Sequence, residues 1–276
     1  METYRTVTQL RGRLAREDAI VLVPTMGNLH AGHLTLVQKA REHGTCVVVS
    51  IFVNRLQFDP GGDFDRYPRT LQSDCEKLES VRCYAVFAPD ESEMYRGPQE
   101  IVLSPPRVAH TLEGEYRTGH FQGVVTVVAK LLNIVAPHAA VFGKKDYQQL
   151  LVLRELVRQL NFEVRVVPGE TVREPDGLAM SSRNGYLSAG ERKEAVRLSR
   201  ALRAVREAVA GGRRDFAELE KTAREELAAH GWRPDYIAVR RSADLGTPGA
   251  DDHELVVLGA AWIGRTRLID NLEIER

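Results

Sequence analysis

Five short apolar runs alternate with amphipathic stretches along the first part of the chain, and this alternation constrains the fold more than any other feature. Ala19–Val23, Cys46–Val53, Tyr84–Ala88, Ala139–Phe142 and Glu163–Val167 are rich in Val, Ile and Phe and are expected as buried strands. Helical patterns lie between them, over about His30–Glu42, Leu71–Val81, Phe121–Val135 and Asp146–Gln159. In the third of these, Val124, Val127, Val128, Leu131 and Val135 recur at helical spacing and form one apolar face. Strands joined by helices of this length make right-handed crossovers into a parallel sheet covered on both faces. The expectation is α/β: a Rossmann-type doubly wound sheet with ligands at the carboxyl ends of its strands.

The pattern changes after about Val172. Residues 188–231 are helical in character, full of Arg, Glu and Ala, and interrupted by Gly211-Gly212. Asp235–Arg240, Glu254–Ile263 and Thr266–Ile269 then read as strands, with Gly264 turning a hairpin. The 276 residues therefore divide into an expected Rossmann-type domain over 1–173 and a smaller carboxyl-terminal α+β domain over 174–276.

Composition removes several classes of function. Lys+Arg and Asp+Glu are equal at 38 each, whereas a protein that lives on nucleic acid usually carries a basic excess. Cys46–Val53, the longest nearly apolar run, is broken by Ser50 and is far short of the roughly 20 residues of a membrane span. The amino terminus lacks a basic-then-apolar secretory pattern, and Cys46, Cys75 and Cys83 form no CxxC. The expectation is a cytoplasmic protein with reduced thiols and no membrane or nucleic-acid partner.

Four segments carry chemistry. In Pro24-Thr25-Met26-Gly27-Asn28-Leu29-His30-Ala31-Gly32-His33, a glycine turn follows the first strong strand and a helix follows the turn. A helix start exposes unpaired N–H groups and positive dipole, which suits a phosphate. His30 and His33, three apart, project from one side and can donate to phosphate oxygens, while Gly32 admits a nucleotide close to the backbone. Surface histidines or half of a zinc site are the alternatives, although no Cys, Asp or Glu stands nearby at ligand spacing. In Phe142-Gly143-Lys144-Lys145-Asp146, two lysines stand at another strand-to-helix turn, where a lysine can hold a phosphate. Gln149 shares a helical face with Leu153, Leu156 and Leu160, so it is expected to point inward, as a substrate hook or a structural cap. Met180-Ser181-Ser182-Arg183 places two hydroxyls and a guanidinium on a loop that could fold over a triphosphate. Asn54 and Gln57, after the second strand, offer neutral groups that could orient hydroxyls and a carboxylate, or simply fill a loop.

Taken together, PTMGNLHAGHLTLV, SIFVNRLQF, RTGHFQGVVTV, VFGKKDYQQL and TVREPDGLAMSSRNGYLS resemble the pantothenate synthetase (pantoate–β-alanine ligase) family, over about Thr25–Arg192. The resemblance implies an HxGH nucleotidyltransferase-like Rossmann domain binding ATP and pantoate, a smaller domain closing over the active site, and a homodimer. It implies an AMP-forming ligase in which ATP and pantoate give pantoyl adenylate and pyrophosphate, after which β-alanine displaces AMP. Mg2+ would arrive on the ATP phosphates, with no metal site of the protein's own; Asp74 is a conceivable partner left unassigned. By the same resemblance Met26, Gly27, Asn28, Leu29, His30, Ala31, Gly32 and His33 form the ATP loop. His33 stands at its proton-donor position, with His30 and Lys145 as catalytic partners. Gly143, Lys144, Lys145 and Asp146 form the second ATP segment, Val172 an adenine contact, and Met180, Ser181, Ser182 and Arg183 the third. Gln57 corresponds to a residue shared by pantoate and β-alanine, and Gln149 to a pantoate contact.

Three positions depart from the family pattern. Arg55 replaces a proline, Lys144 a glutamate, and Asn28 a common alanine. The rival readings are another HxGH nucleotidyltransferase acting on a small phosphorylated acceptor, an aminoacyl-tRNA synthetase relative, and a non-catalytic nucleotide sensor.

Overall fold

The computed structural model describes residues 1–58 and 64–275. Its strands are β1 (Glu2–Tyr4), β2 (Ile20–Thr25), β3 (Cys46–Ile51), β4 (Ala85–Phe87), β5 (Ala139–Gly143), β6 (Arg165–Gly169), β7 (Arg233–Arg241), β8 (Leu255–Ile263) and β9 (Thr266–Ile274). Two compact units emerge, Met1–Lys144 with Val152–Glu170, and Lys145–Leu151 with Thr171–Arg276.

The first unit is built on a six-stranded sheet in the order β1-β4-β3-β2-β5-β6, with every neighbouring pair parallel. The chain winds outward from β2 through β3 to β4, then returns to start β5 on the other side of β2. The strand order reverses there, so the carboxyl ends of β2 and β5 flank the crevice where such sheets bind ligands. Ile20–Val23 and Cys46–Ser50 are buried throughout, as strands covered on both faces must be. On one face Val21, Val23, Val47 and Val49 pack with Val37 and Leu78 of the helices Ala31–Arg41 and Leu71–Ser80.

The second unit is an antiparallel meander, β7-β8-β9, packed against the helices Val196–Ala210 and Phe216–Ala229. Gly259, in the middle of β8, makes room for the first of them: a Cβ there would lie 3.1 Å from Leu202 Cδ2 and 3.2 Å from Leu198 Cδ1. Gly264 turns the β8–β9 hairpin at φ +53°, and Gly212 breaks the helical run at φ +107°.

Three differences from the sequence expectation have identifiable causes. β1 and the helix Val7–Leu14 were not anticipated, because β1 is three largely exposed residues and the helix buries only Leu10 and Leu14. β9 runs on to Ile274, past the expected end at Ile269, because Asp270 and Asn271 interrupt an apolar pattern while remaining buried. Leu160 does not share the inward face of its helix. That helix ends at Gln159, Asn161 turns the chain at φ +53°, and Leu160 is 48% exposed. All three cysteines are free, and burial pushes the Cys46 thiol up to about 11 and Cys83 up to about 12. Among the described residues no helix is long and apolar enough to cross a membrane.

Candidate active site

The segment after β2 is shaped by contacts from beneath it. Gly27 and Asn28 adopt left-handed φ values of +81° and +51°. Asparagine occupies that region more readily than alanine, a physical reason for Asn28 at a position where alanine is common. A Cβ on Gly27 would sit 3.0 Å from Ile51 Cγ2 and 3.1 Å from Asp74 Oδ2. The fully buried Asp74 accepts the backbone N–H groups of Asn28 at 2.9 Å and Leu29 at 2.8 Å, and the Thr70 hydroxyl at 3.0 Å. Lys77 donates to the Leu29 carbonyl at 2.8 Å. Two side chains from one helix thus grip both polar groups of the loop backbone.

His30 caps the helix Ala31–Arg41 and forms a reciprocal capping box with His33. His30 Nδ1 accepts from Gly32 N at 3.1 Å, and His33 Nδ1 accepts from His30 N at 3.3 Å. A neutral imidazole that accepts at Nδ1 carries its proton on Nε2, so both rings are set as Nε2 donors. The ring centroids are 4.1 Å apart, so the two histidines do project together from the helix start. Two donors beside a helix N-terminus at the strand-order reversal are what a phosphate-binding corner requires.

Gln57 meets this loop within the same unit. Its Nε2 lies 3.1 Å from Met26 Sδ, and its Oε1 accepts from Asn54 Nδ2 at 3.0 Å. Of the two expectations for Asn54, the loop interior is the one the structure shows. It is 1% exposed, donates also to the Gly123 carbonyl and accepts the Tyr95 hydroxyl at 2.7 Å, so its groups are engaged in holding Gln57. The proline lost at position 55 does not cost the turn. Arg55–Gln57 forms a 3₁₀ turn closed by Gln57 N on Asn54 O, while Arg55 pairs with Glu91 at 3.1 Å and stacks 4.1 Å from the Phe64 ring centroid.

Gly143 ends β5, and Lys144 follows it in an ion pair with Glu170 at 2.7 Å. The lysine that replaces the family's glutamate therefore has its own counter-charge, just past the end of β6.

In the second unit, Val172 and Met180 are brought together by Met180 N donating to Val172 O at 2.9 Å, across a hairpin bridged at Arg173 and Ala179. Ser181 Oγ caps the following turn by accepting Arg183 N. The hairpin is anchored by Arg173, which makes a two-pronged pair with buried Asp270 at 2.8 Å and 2.8 Å and donates to Asn271 O. Asn271 in turn donates to the Lys145 carbonyl at 2.8 Å. Lys145 and Asp146 form a 3₁₀ turn with Lys144, and among the described residues no acidic side chain pairs with Lys145. Gln149 is half-buried with no side-chain hydrogen bond to another described residue, whereas its neighbour Gln148 is 3% exposed. Asp270 and Asn271 thus support two expected site segments, although the strand that carries them was read for its fold alone. The available signal was the polar pair itself, set between Leu268-Ile269 and Leu272.

The sheet order and the histidine-capped helix define an HxGH-type α/β protein with a nucleotidyltransferase-like fold. A family model for pantoate-beta-alanine ligase matches residues 1–273. Pantothenate synthetase of Nitrosospira multiformis is 54% identical over 274 residues, covering 99% of this chain and 98% of that protein. The one from Nitrosomonas europaea is 56% identical over 271 residues, covering 98% of each. Among solved structures, pantothenate synthetase from Thermus thermophilus superposes with a TM-score of 0.95 at 45% identity, covering 100% of both chains. A pantoate-beta-alanine ligase from Francisella tularensis, complexed with beta-gamma ATP and beta-alanine, gives 0.85 at 32% identity, covering 99% of this chain and 97% of that one. The chain belongs to the pantoate–β-alanine ligase family.

Proposed function

We infer that this ligase joins (R)-pantoate to β-alanine in two steps on ATP. In the first, a pantoate carboxylate oxygen attacks the α-phosphorus, the bond to the β-phosphate breaks, and pyrophosphate leaves; Mg2+ on the phosphates would neutralise part of their charge. In the second, the β-alanine nitrogen attacks the acyl carbon, the carbonyl–oxygen bond to AMP breaks, and the nitrogen loses its proton. The observation that carries this reading is the meeting of Gln57 with Met26 of the histidine loop, which sets a neutral amide donor beside a phosphate-binding corner. The β-alanine and nucleotide named for the Francisella protein support it.

In this proposal Met26, Gly27, Asn28, Leu29, His30, Ala31, Gly32 and His33 receive ATP, and the Nε2 donors of His30 and His33 stabilise charge developing at the α-phosphate. Gly143, Lys144, Lys145 and Asp146 form the second phosphate segment, with Lys145 as its working charge. Val172 contacts adenine, and Met180, Ser181, Ser182 and Arg183 hold phosphates. Gln149 binds pantoate, and Gln57 binds pantoate and then β-alanine. The enzyme works in the cytoplasm as a homodimer.

ATP and pantoate supplied without β-alanine should yield bound pantoyl adenylate and a stoichiometric burst of pyrophosphate. Steady release of ADP and phosphate would mean acyl-phosphate chemistry and would overturn the mechanism. Adenylylation of a phosphorylated acceptor with no amide formed would favour the other HxGH nucleotidyltransferases.

Leaving a buried partner unpaired costs about 1–3 kcal/mol, so Gln149→Ala should weaken pantoate use roughly five- to hundred-fold with a much smaller shift in the ATP constant. Gln57→Ala should impair both half-reactions in single-turnover measurements. A Gln149→Ala enzyme with a raised ATP constant and normal pantoate use would reverse its assignment.

A further inference from the structure

The RTGHFQGVVTV segment has no part in the chemistry above, yet its residues converge on Gln57. Resting on the assignment of Gln57 to the substrates, we propose that Arg117, His120 and Gly123 form a seat that fixes the Gln57 amide with its N–H₂ group as the donor offered to a carboxylate or hydroxyl oxygen. Pantoate and β-alanine both carry such oxygens. His120 is then a positioning residue for both half-reactions.

His120 opens the helix His120–Val135 and is 6% exposed. Its Nδ1 lies 2.9 Å from the Gln57 carbonyl oxygen, which can only accept, so Nδ1 carries the proton. Its Nε2 lies 3.0 Å from Arg117 Nη1, which can only donate, so Nε2 is unprotonated. The two contacts together specify one neutral tautomer. Arg117 also directs Nη2 to the Gln57 carbonyl at 3.5 Å, and Glu113, largely buried, holds the guanidinium at 3.8 Å.

One turn further along, the helix presses directly on the turn that carries Gln57. A Cβ on Gly123 would stand 2.2 Å from the Leu56 carbonyl oxygen and 2.6 Å from Gln57 N, closer than any side chain allows. The Gly123 carbonyl accepts from Asn54 Nδ2, and that same amide donates to Gln57 Oε1. With Oε1 taken, the Gln57 amide has one orientation and must present Nε2. Its present acceptor, Met26 Sδ, is a thioether and a weak one, which a substrate oxygen readily displaces. The backbone oxygen of Gln57 is thus held directly by His120, while its backbone nitrogen and side-chain oxygen are held by Asn54, whose amide the Gly123 carbonyl fixes in turn.

The test is a double-mutant cycle on the full-length enzyme, with each half-reaction followed in single turnover and melting followed by calorimetry. His120→Asn keeps an N–H near the Nδ1 position, whereas His120→Gln places its amide near Nε2 and gives up the bond to Gln57. We expect His120→Gln and Gly123→Ala each to lower kcat/KM for pantoate and for β-alanine about ten- to hundred-fold. The ATP constant should stay within about two-fold, too small a change to count as a lost contact. His120→Asn should recover most of the loss. In a Gln57→Ala background the same substitutions should cost almost nothing further, because the residue they act through is gone. Equal losses toward ATP and pantoate would overturn the proposal, as would the full additional loss in the Gln57→Ala background. Gln57→Ala with both half-reactions intact is a different result and removes Gln57 from the substrates.

Discussion

A His33→Ala enzyme should form pantoyl adenylate roughly 10²–10³ times more slowly than the parent, the cost of deleting one preorganised donor at a centre where charge develops. The capping geometry explains why the effect resides on one nitrogen. Nδ1 of His33 accepts the His30 backbone N–H, so Nε2 carries the proton that is proposed to meet the phosphates. His33→Asn separates the two roles, because an asparagine oxygen can still accept from His30 N while nothing remains at the Nε2 position. It should therefore be as slow as His33→Ala while recovering the cap, worth up to about 1 kcal/mol. Lys145→Ala should show a loss of similar size with little change in melting, since no acidic side chain among the described residues depends on that ammonium. Rapid-quench measurement of the adenylate checks all three. A His33→Asn enzyme at parental speed would remove Nε2 from the chemistry.

The parts of this fold that were legible in the chain are those whose signal is local. β2, β3 and β5 are continuous apolar runs, and the helix His120–Val135 has a periodic buried face, so each could be placed within a residue or two. The histidine loop was legible for the same reason: its glycines, its two imidazoles and the helix they start lie within ten residues. The supports of that loop and its counterparts were not. Asp74 stands 46 residues from Asn28, Asp270 stands 97 from Arg173, and His120 stands 63 from Gln57. Nothing in a carboxylate or imidazole announces a partner at such separations. Leu160 shows the opposite failure. The face of Gln149, Leu153 and Leu156 was projected through it, but the turn at Asn161 ends that face early and Leu160 goes to solvent.

Asp74→Ala should produce the largest combined effect on stability and nucleotide use. The carboxylate is 0% exposed and accepts three hydrogen bonds, two of them from the backbone N–H groups of Asn28 and Leu29. Bonds to a charged acceptor are worth about 1.5–3 kcal/mol each, and removing that acceptor leaves buried donors with nothing to replace it. Some relaxation of the loop offsets part of that sum, so the expected destabilisation is about 3–5 kcal/mol. Asp74→Asn is the sharper probe. It keeps the shape and one oxygen but turns an N–H₂ group toward one of the two backbone donors, so it should lose about as much as alanine. The functional consequence follows from where the strain goes. Gly27 and Asn28 are both in left-handed backbone, and without Asp74 the loop relaxes toward ordinary φ and shifts His30 and His33 from the positions in which they are proposed to meet ATP. ATP binding should therefore weaken more than pantoate binding, a split that titration of each substrate reads directly. Should Asp74→Asn melt and bind ATP as the parent does, then Lys77 on the Leu29 carbonyl and Thr25 on Gly27 N suffice to hold the loop, and Asp74 is a bystander beneath it.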